Sequence, residues 1–385
     1  LRRYQEWLSK QEEVGMKVAI VGAGVMGTAI AYPLADNGHA VRLVGTHLDG
    51  EIVASCLARR VHPRLQRELP PAVQPYYVDD LARALDGVEV IVSGVNSFGV
   101  RWIGRAIGPH LRPGQSIVAV TKGLEAAENG DLLILPDVLA SELPTRVRDQ
   151  VTLAAIGGPC IAGELAGRRP SCVVFGSREG GAAERLAAIL RTPYYHVWTT
   201  ADLVGLEVCV ALKNAYTLGV GMAAGLLEWG GGVDAAGAHM HNLAAAVFAQ
   251  ACTEIDRVLQ ITGGRRAFVY GLPGAGDLYV TCQGGRSMRL GRLLGLGHPF
   301  AEVREIMAGE TLEAAACVQV MGKALPRLTA RGALGAKELP LMRALVEVVA
   351  HGRPVDLPLD AFFRSEDERR DAKGQRRKEG PFLAS

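Results

Sequence analysis

The stretch KVAIVGAGVMGTAIAYPLADNGHAVRLVG, residues 17–45, decides the fold. Its first five residues are an apolar, β-branched run of the kind that forms a buried strand. Gly22-Ala23-Gly24-Val25-Met26-Gly27 follows, and then an apolar segment of helical periodicity that stops at Asn37-Gly38, a helix-ending pair. A second apolar strand run, AVRLVG, closes the stretch. The order strand, GxGxxG, helix, strand is the context in which this glycine pattern binds a dinucleotide. Gly22 would make the tight turn, Gly24 would let the backbone approach a pyrophosphate, and Gly27 would let helix and strand pack closely. The phosphates would lie on the helix N-terminus, against Val25 and Met26. The simpler alternative is a plain glycine turn.

Further strand runs follow at 88–95, 115–123, 152–159, 171–177 and 196–200, most of them separated by helical segments. Strands alternating with helices predict an α/β, Rossmann-type, doubly wound parallel sheet. After about Thr200 the β-branched runs nearly vanish. Ala/Leu/Val-rich stretches at 201–227, 242–262, 299–330 and 336–350 predict an all-α second domain. The expected division is an N-terminal extension over 1–15, a dinucleotide-binding domain over 16–200, a helical substrate domain over 201–363 and a charged, disordered tail over 364–385. Residues 1–15 have no apolar stretch of signal-peptide type, and Met16 reads as the more natural start.

The 385 residues carry a net charge of +2, which gives no reason to invoke nucleic acid or an acidic membrane. No uninterrupted apolar run reaches the length of a membrane span. Seven cysteines, an odd number with no CxxC pair, read as reduced core residues of a cytoplasmic protein.

The cofactor's identity is less sharply written. An acidic residue at the end of the second strand would hold the ribose hydroxyls of NAD. Here that strand ends in Gly45-Thr46-His47, and Asp49 and Glu51 come late. The pattern leans towards NADP or dual use.

Chemistry-bearing residues gather at three further places. GLEVCVALKNAYTLGVG, residues 205–221, is an apolar helix that carries Glu207, Lys213 and Asn214. A lysine whose pKa is lowered by burial can exchange a proton with a new alcohol oxygen. Asn214 projects about 100° further round the helix and reaches the same space from another direction. Periodicity alone leaves Lys213 equally a catalytic group or a lysine snorkelling from a helix edge. In GLPGAGDLYVTCQGGRS, residues 271–287, Asp277 and Thr281 share a helical face, and Asp277 could pair with Lys213. Arg286, behind two glycines, suits a phosphate, or is an exposed loop arginine. Lys122 ends a strand, where an open sheet faces its ligand crevice. Phe98 is a candidate to stack on a cofactor, with core packing its plainer role.

Taken together, GAGVMG, VTKGLE, GGPCIAGELA, EVCVALKNAYTLGVGMAAG, GAGDLYVTCQGGRS and AGETLE resemble the NAD(P)-dependent glycerol-3-phosphate dehydrogenase family, from about Met16 to about Phe363. The resemblance implies interconversion of dihydroxyacetone phosphate and sn-glycerol 3-phosphate for phospholipid synthesis, by a homodimer without metal. It implies Lys213 as general acid and base, and Lys122 as a substrate and cofactor contact. Asn214, Asp277 and Thr281 would line the glycerol side, and Arg286 would lie near phosphate and cofactor. Ala162 and Glu310 fall on the cofactor side. The chain departs from the family at Ser287, where asparagine is common; an alternative alignment makes Ser287 the substrate contact and brings in Arg289. Asn96 replaces a more usual proline or histidine, and the segment 228–242 is longer than usual and carries His239 and His241. A metal on those histidines would need a third ligand. Two other readings compete: a dehydrogenase of another small phosphorylated alcohol or hydroxy acid, and a non-catalytic nucleotide sensor. The first usually places an asparagine four residues after the lysine, where this chain has Thr217. The second would be expected to lose the charged residues that this chain keeps.

Overall fold

The computed structural model describes residues 15–233 and 241–364. The expected extension over 1–15, except Gly15, the expected tail beyond Arg364, and His239 lie outside the described residues.

The strands are β1 (Lys17–Val21), β2 (Ala40–Val44), β3 (Val61–His62), β4 (Arg67–Glu68), β5 (Val73–Tyr76), β6 (Val90–Ser93), β7 (Ser116–Ala119), β8 (Leu124–Ala126), β9 (Leu132–Ile134), β10 (Thr152–Gly157), β11 (Ser171–Gly176) and β12 (Tyr195–Thr200). Eight of them form one sheet in the order β12-β11-β10-β7-β6-β1-β2-β5. From β5 to β10 every pairing is parallel. β11 turns antiparallel to β10, and β12 runs parallel to β11. The sheet is therefore mixed at one end. β5 has no counterpart in the sequence reading, because Pro75 interrupts its apolar pattern; as the edge strand it tolerates that proline.

Alternate residues of the parallel strands serve opposite faces. Val18, Ile20, Val41 and Leu43 pack with Ala29, Ile30 and Leu34 of helix α1 (Val25–Asp36). Ala19, Val21, Val44 and Ile91 pack with Ile103 and Ile107 on the other side. Both faces are buried, which is why these strands read as continuous apolar runs.

Beyond Thr200 the described chain is helical: α2 (Leu203–Trp229), α3 (Asn242–Thr262), α4 (Asp277–Cys282), α5 (Arg286–Gly295), α6 (Glu313–Ala330) and α7 (Pro340–His351), with shorter turns between. The stretch 299–330 divides into Phe300–Ile306 and α6, with Gly309 at φ +83° between them. α2 starts on Asp202, whose Oδ1 accepts from Gly205 N at 2.8 Å and whose Oδ2 accepts from Arg265 N at 2.6 Å. By length and composition α2 could cross a membrane, but 94% of its most apolar window is buried inside the protein. It is the axis of the largest core.

α2 and α5 meet glycine to glycine. A Cβ on Gly225 would lie 2.2 Å from Arg292 O, and one on Gly291 would lie 2.1 Å from Leu218 O. Gly221 and Gly225 of one helix thus face Gly291 and Gly295 of the other. This contact holds the start of α5, with Arg286 and Ser287, beside the helix that carries Lys213.

Candidate active site

The glycine loop lies where β1 meets α1, at the carboxyl edge of the sheet. Gly22 has φ +113°, and a Cβ there would lie 2.6 Å from Gly94 C, in the turn after β6. A Cβ on Gly27 would lie 2.3 Å from Gly22 O. A Cβ on Gly24 would meet nothing nearer than 3.9 Å. Two glycines are thus required by the protein's own packing, while the space before the third is open, as a pyrophosphate approaching the backbone would need. Val25 and Met26 begin α1 beside it, Val25 being exposed.

Along the same edge, β7 leads into Val120-Thr121-Lys122, and Thr121 Oγ1 donates to Val95 O at 2.6 Å. Lys122 Nζ donates to Asp277 Oδ2 at 2.6 Å and to Gly158 O, after β10, at 3.4 Å. Lys213 Nζ, from α2, lies 2.9 Å from Asp277 Oδ1 and donates to Thr281 Oγ1 at 2.6 Å. Thr281 in turn donates to Asp277 O at 2.6 Å, as its position one turn later on α4 allows. One carboxylate therefore bridges two ammonium groups, one from each half of the chain. The sequence reading anticipated Asp277 beside Lys213 but not its second partner, Lys122.

Burial sets the protonation of this cluster. Asp277 is 1% exposed and Lys213 6%. Desolvation pulls the Lys213 ammonium down to about 8; Asp277 opposes the fall and Lys122 adds to it. Burial pulls Lys122 in the same direction, but Asp277 outweighs it and the net change is upward. Burial alone would raise the Asp277 carboxyl, and the two lysines together hold it below its ordinary value. The arrangement is a charged pair made by Lys122 and Asp277, with a second lysine that can change protonation near neutral pH.

Asn214 is buried beside Lys213, and its amide makes no hydrogen bond among the described residues. Arg286 is half exposed and 4.0 Å from Glu313 Oε2, a loose contact that leaves its fork open. Ser287 follows it in the first turn of α5. Arg289 instead binds Glu310 Oε1 at 2.6 Å, so the alternative arginine and the expected cofactor-side glutamate hold each other. Ala162 is buried at the start of a short helix after β10.

Phe98 does not pack in the core. It is 69% exposed, on a short turn after β6 that Asn96 caps by accepting from Gly99 N at 3.2 Å. The turn starts at the crevice edge and aims the ring outward. Glu207 lies near the start of α2. It is fully buried, both carboxylate oxygens lack a hydrogen bond, and desolvation pushes it up to about 8. All seven cysteines are free, but only Cys56, Cys209 and Cys317 are fully buried. Among the described residues no three His, Cys, Asp or Glu side chains gather as metal ligands.

Residues 17–183 match the N-terminal part of NAD-dependent glycerol-3-phosphate dehydrogenase, and residues 202–360 match its C-terminal part. The chain belongs to the NAD-dependent glycerol-3-phosphate dehydrogenase family. It is an oxidoreductase that uses NAD or NADP. It is 37% identical to the NADP(+)-dependent glycerol-3-phosphate dehydrogenase of Archaeoglobus fulgidus over 75% of this chain and 83% of that one. The glycerol-3-phosphate dehydrogenase [NAD(P)+] of Geobacillus kaustophilus is 34% identical over 90% and 94%. The crystal structure of glycerol-3-phosphate dehydrogenase from Coxiella burnetii superposes with a TM-score of 0.75 at 26% identity, covering 94% of this chain and 99% of that one.

Proposed function

We propose that the chain interconverts dihydroxyacetone phosphate and sn-glycerol 3-phosphate, working towards the latter for phospholipid synthesis, with Lys213 as general acid and base. The observation that carries this is the Lys122–Asp277–Lys213 cluster on the carboxyl edge of the sheet, with Asp277 and Lys213 buried and Lys122 partly exposed. The Gly22–Gly27 loop would hold the nicotinamide cofactor, which would supply the hydride to the carbonyl carbon in reduction or accept it from the carbinol carbon in oxidation. Protonated Lys213 gives its proton to the ketone oxygen in reduction, and neutral Lys213 takes the hydroxyl proton in oxidation. Asp277 keeps both ammonium groups aimed into the crevice, and Thr281 fixes the direction of Lys213. Lys122 adds positive charge where the oxygen becomes negative. The open amide of Asn214 binds a substrate hydroxyl, and Arg286 with Ser287 takes the phosphate. Ala162, Phe98 and Glu310 border the cofactor.

This reading divides the chain into a cofactor part over 16–200 and a substrate part over 201–363. It includes NADP, or both nicotinamides, as cofactor, in keeping with the name of the Archaeoglobus relative. It also includes a homodimer in the cytoplasm, a compartment suited to seven free cysteines. Mixing the protein with NADPH or NADH and dihydroxyacetone phosphate tests the reaction: absorbance at the reduced cofactor's band falls. Reduction of some other ketone with dihydroxyacetone phosphate ignored would overturn the substrate. Light scattering at twice the chain mass tests the dimer.

A further inference from the structure

Ala23 stands between the first two glycines of the cofactor loop and is fully buried. Side chains hold both of its main-chain groups. Its N–H donates to Asp49 Oδ2 at 3.2 Å. Its carbonyl accepts from Thr28 Oγ1 at 3.3 Å and lies 2.9 Å from His62 Nε2. His62 is itself fully buried, in the β3–β4 hairpin. Its other nitrogen, Nδ1, accepts from Arg64 N at 3.2 Å and from Leu65 N at 3.1 Å. Two N–H groups aimed at Nδ1 leave the ring proton on Nε2, so His62 donates to Ala23 O. Burial holds its pKa below the ordinary histidine value, which keeps the ring neutral.

Asp49 is the acid that came late for the ribose in the sequence. Its Oδ2 accepts from Thr46 N at 2.8 Å and Thr46 Oγ1 at 2.9 Å as well as from Ala23 N. Three donors converge on one carboxylate oxygen, all of them from the protein. The carboxylate is therefore turned in towards the loop.

We propose that Asp49 and His62 are positioning residues that clamp the Ala23 peptide groups from opposite sides and so preset the glycine loop for the cofactor's pyrophosphate. Asp49 acts in this way instead of reading the adenosine ribose. Both groups come from residues 46–65, the excursion between β2 and β5, which gives that segment a part in cofactor binding. The clamp affects NADH and NADPH alike, because the pyrophosphate is common to both.

Direct titration of NADPH and NADH onto the full chain, by fluorescence and without substrate, tests this independently of which ketone is reduced. The variants are Asp49→Ala and Asp49→Asn, His62→Ala and His62→Gln. Loss of a hydrogen bond to a charged or preorganised group predicts that each alanine variant weakens both cofactors by about tenfold. Asn keeps an acceptor near Ala23 N and Gln keeps a donor near Ala23 O, so these two recover most of the affinity. At saturating cofactor, kcat and the KM for the ketone stay within about twofold of wild type. The proposal is overturned if Asp49→Asn changes the NADH-to-NADPH preference about tenfold, since the carboxylate would then be reading the ribose. It is equally overturned if the alanine variants melt earlier yet bind both cofactors as wild type does. Should the alanine variants fail to fold, His62→Leu, which fills the space without a donor, is compared with His62→Gln: weaker binding of both cofactors by the leucine variant alone supports the clamp, and equal affinity in the two sinks it.

Discussion

The glycine loop and the lysine–aspartate cluster face the same crevice but are made in different ways. The loop is one contiguous hexapeptide whose shape follows from where glycine is required: Gly22 and Gly27 by contact with their own surroundings, Gly24 by open space. The cluster is gathered from positions 122, 213 and 277, on a strand end and two helices. A local motif can therefore fail one residue at a time, whereas the cluster is coupled through one carboxylate. Removing a member of the cluster alters the charge felt by the other two.

The largest expected effect tests the cluster's role in chemistry. Lys213→Met should lower the rate of ketone reduction by roughly 10²–10⁴-fold, the usual worth of a general acid, while NADPH still binds. Stopped-flow reduction and a cofactor titration measure the two quantities; an active variant sinks the assignment. Asp277→Asn should be nearly as damaging and also unsettle the fold, because the buried Lys213 and the partly exposed Lys122 lose their shared, buried partner. Breaking a buried pair costs about 3–5 kcal/mol, readable by urea unfolding. Without the carboxylate that raises it, Lys213 should also titrate lower, so the pH–rate curve moves to the acid side.

The loop should respond differently. Gly22→Ala should lower both the melting temperature and cofactor affinity, since its Cβ meets backbone at 2.6 Å. Gly24→Ala should leave the melting temperature alone and weaken only the cofactor. Equal losses in both variants would remove the distinction drawn between the two glycines.

Smaller effects concern pH. With Lys213 near 8, kcat/KM for reduction should fall as pH rises through about 8, because the protonated lysine is the donor. Oxidation should rise through the same value. Glu207 gives a matching test of stability. Its folded pKa of about 8 lies above the ordinary 4.5, so between these values the folded state holds the extra proton. Wild-type stability then declines as pH climbs through that window, whereas Glu207→Gln does not titrate. The gap in melting temperature in favour of the variant should widen from pH 5 to pH 8; a constant gap would show that Glu207 ionises normally.

Much of this was legible in the chain. The β1–loop–α1 unit is specified locally, since β-branched runs, helical periodicity and glycine placement act over a few residues. Lys122, Lys213, Asp277 and Thr281 stood out as polar groups in apolar or strand-end settings, and the structure brings them together. The close approach of α2 and α5 has a visible signal in the four-residue glycine spacing at 221/225 and 291/295. Other features had no local signal. The exposed ring of Phe98 and the reversal of β11 depend on how the chain turns after a strand. His62 is a lone histidine in a short polar stretch, and nothing near it in sequence names Ala23 as its partner.

By itself, then, the sequence determined the alternating strand–helix half, the helical half, the nucleotide loop and which polar side chains are candidates for the chemistry. Only the tertiary structure decided that Asp277 joins two lysines, that Asp49 turns inward and that Glu207 is buried without a hydrogen bond. The physical reason is range. Backbone conformation and amphipathic pattern are set by neighbours a few residues away, whereas protonation depends on desolvation and on charges a few ångströms off. Those charges come from segments more than sixty residues distant, and folding alone brings them within reach.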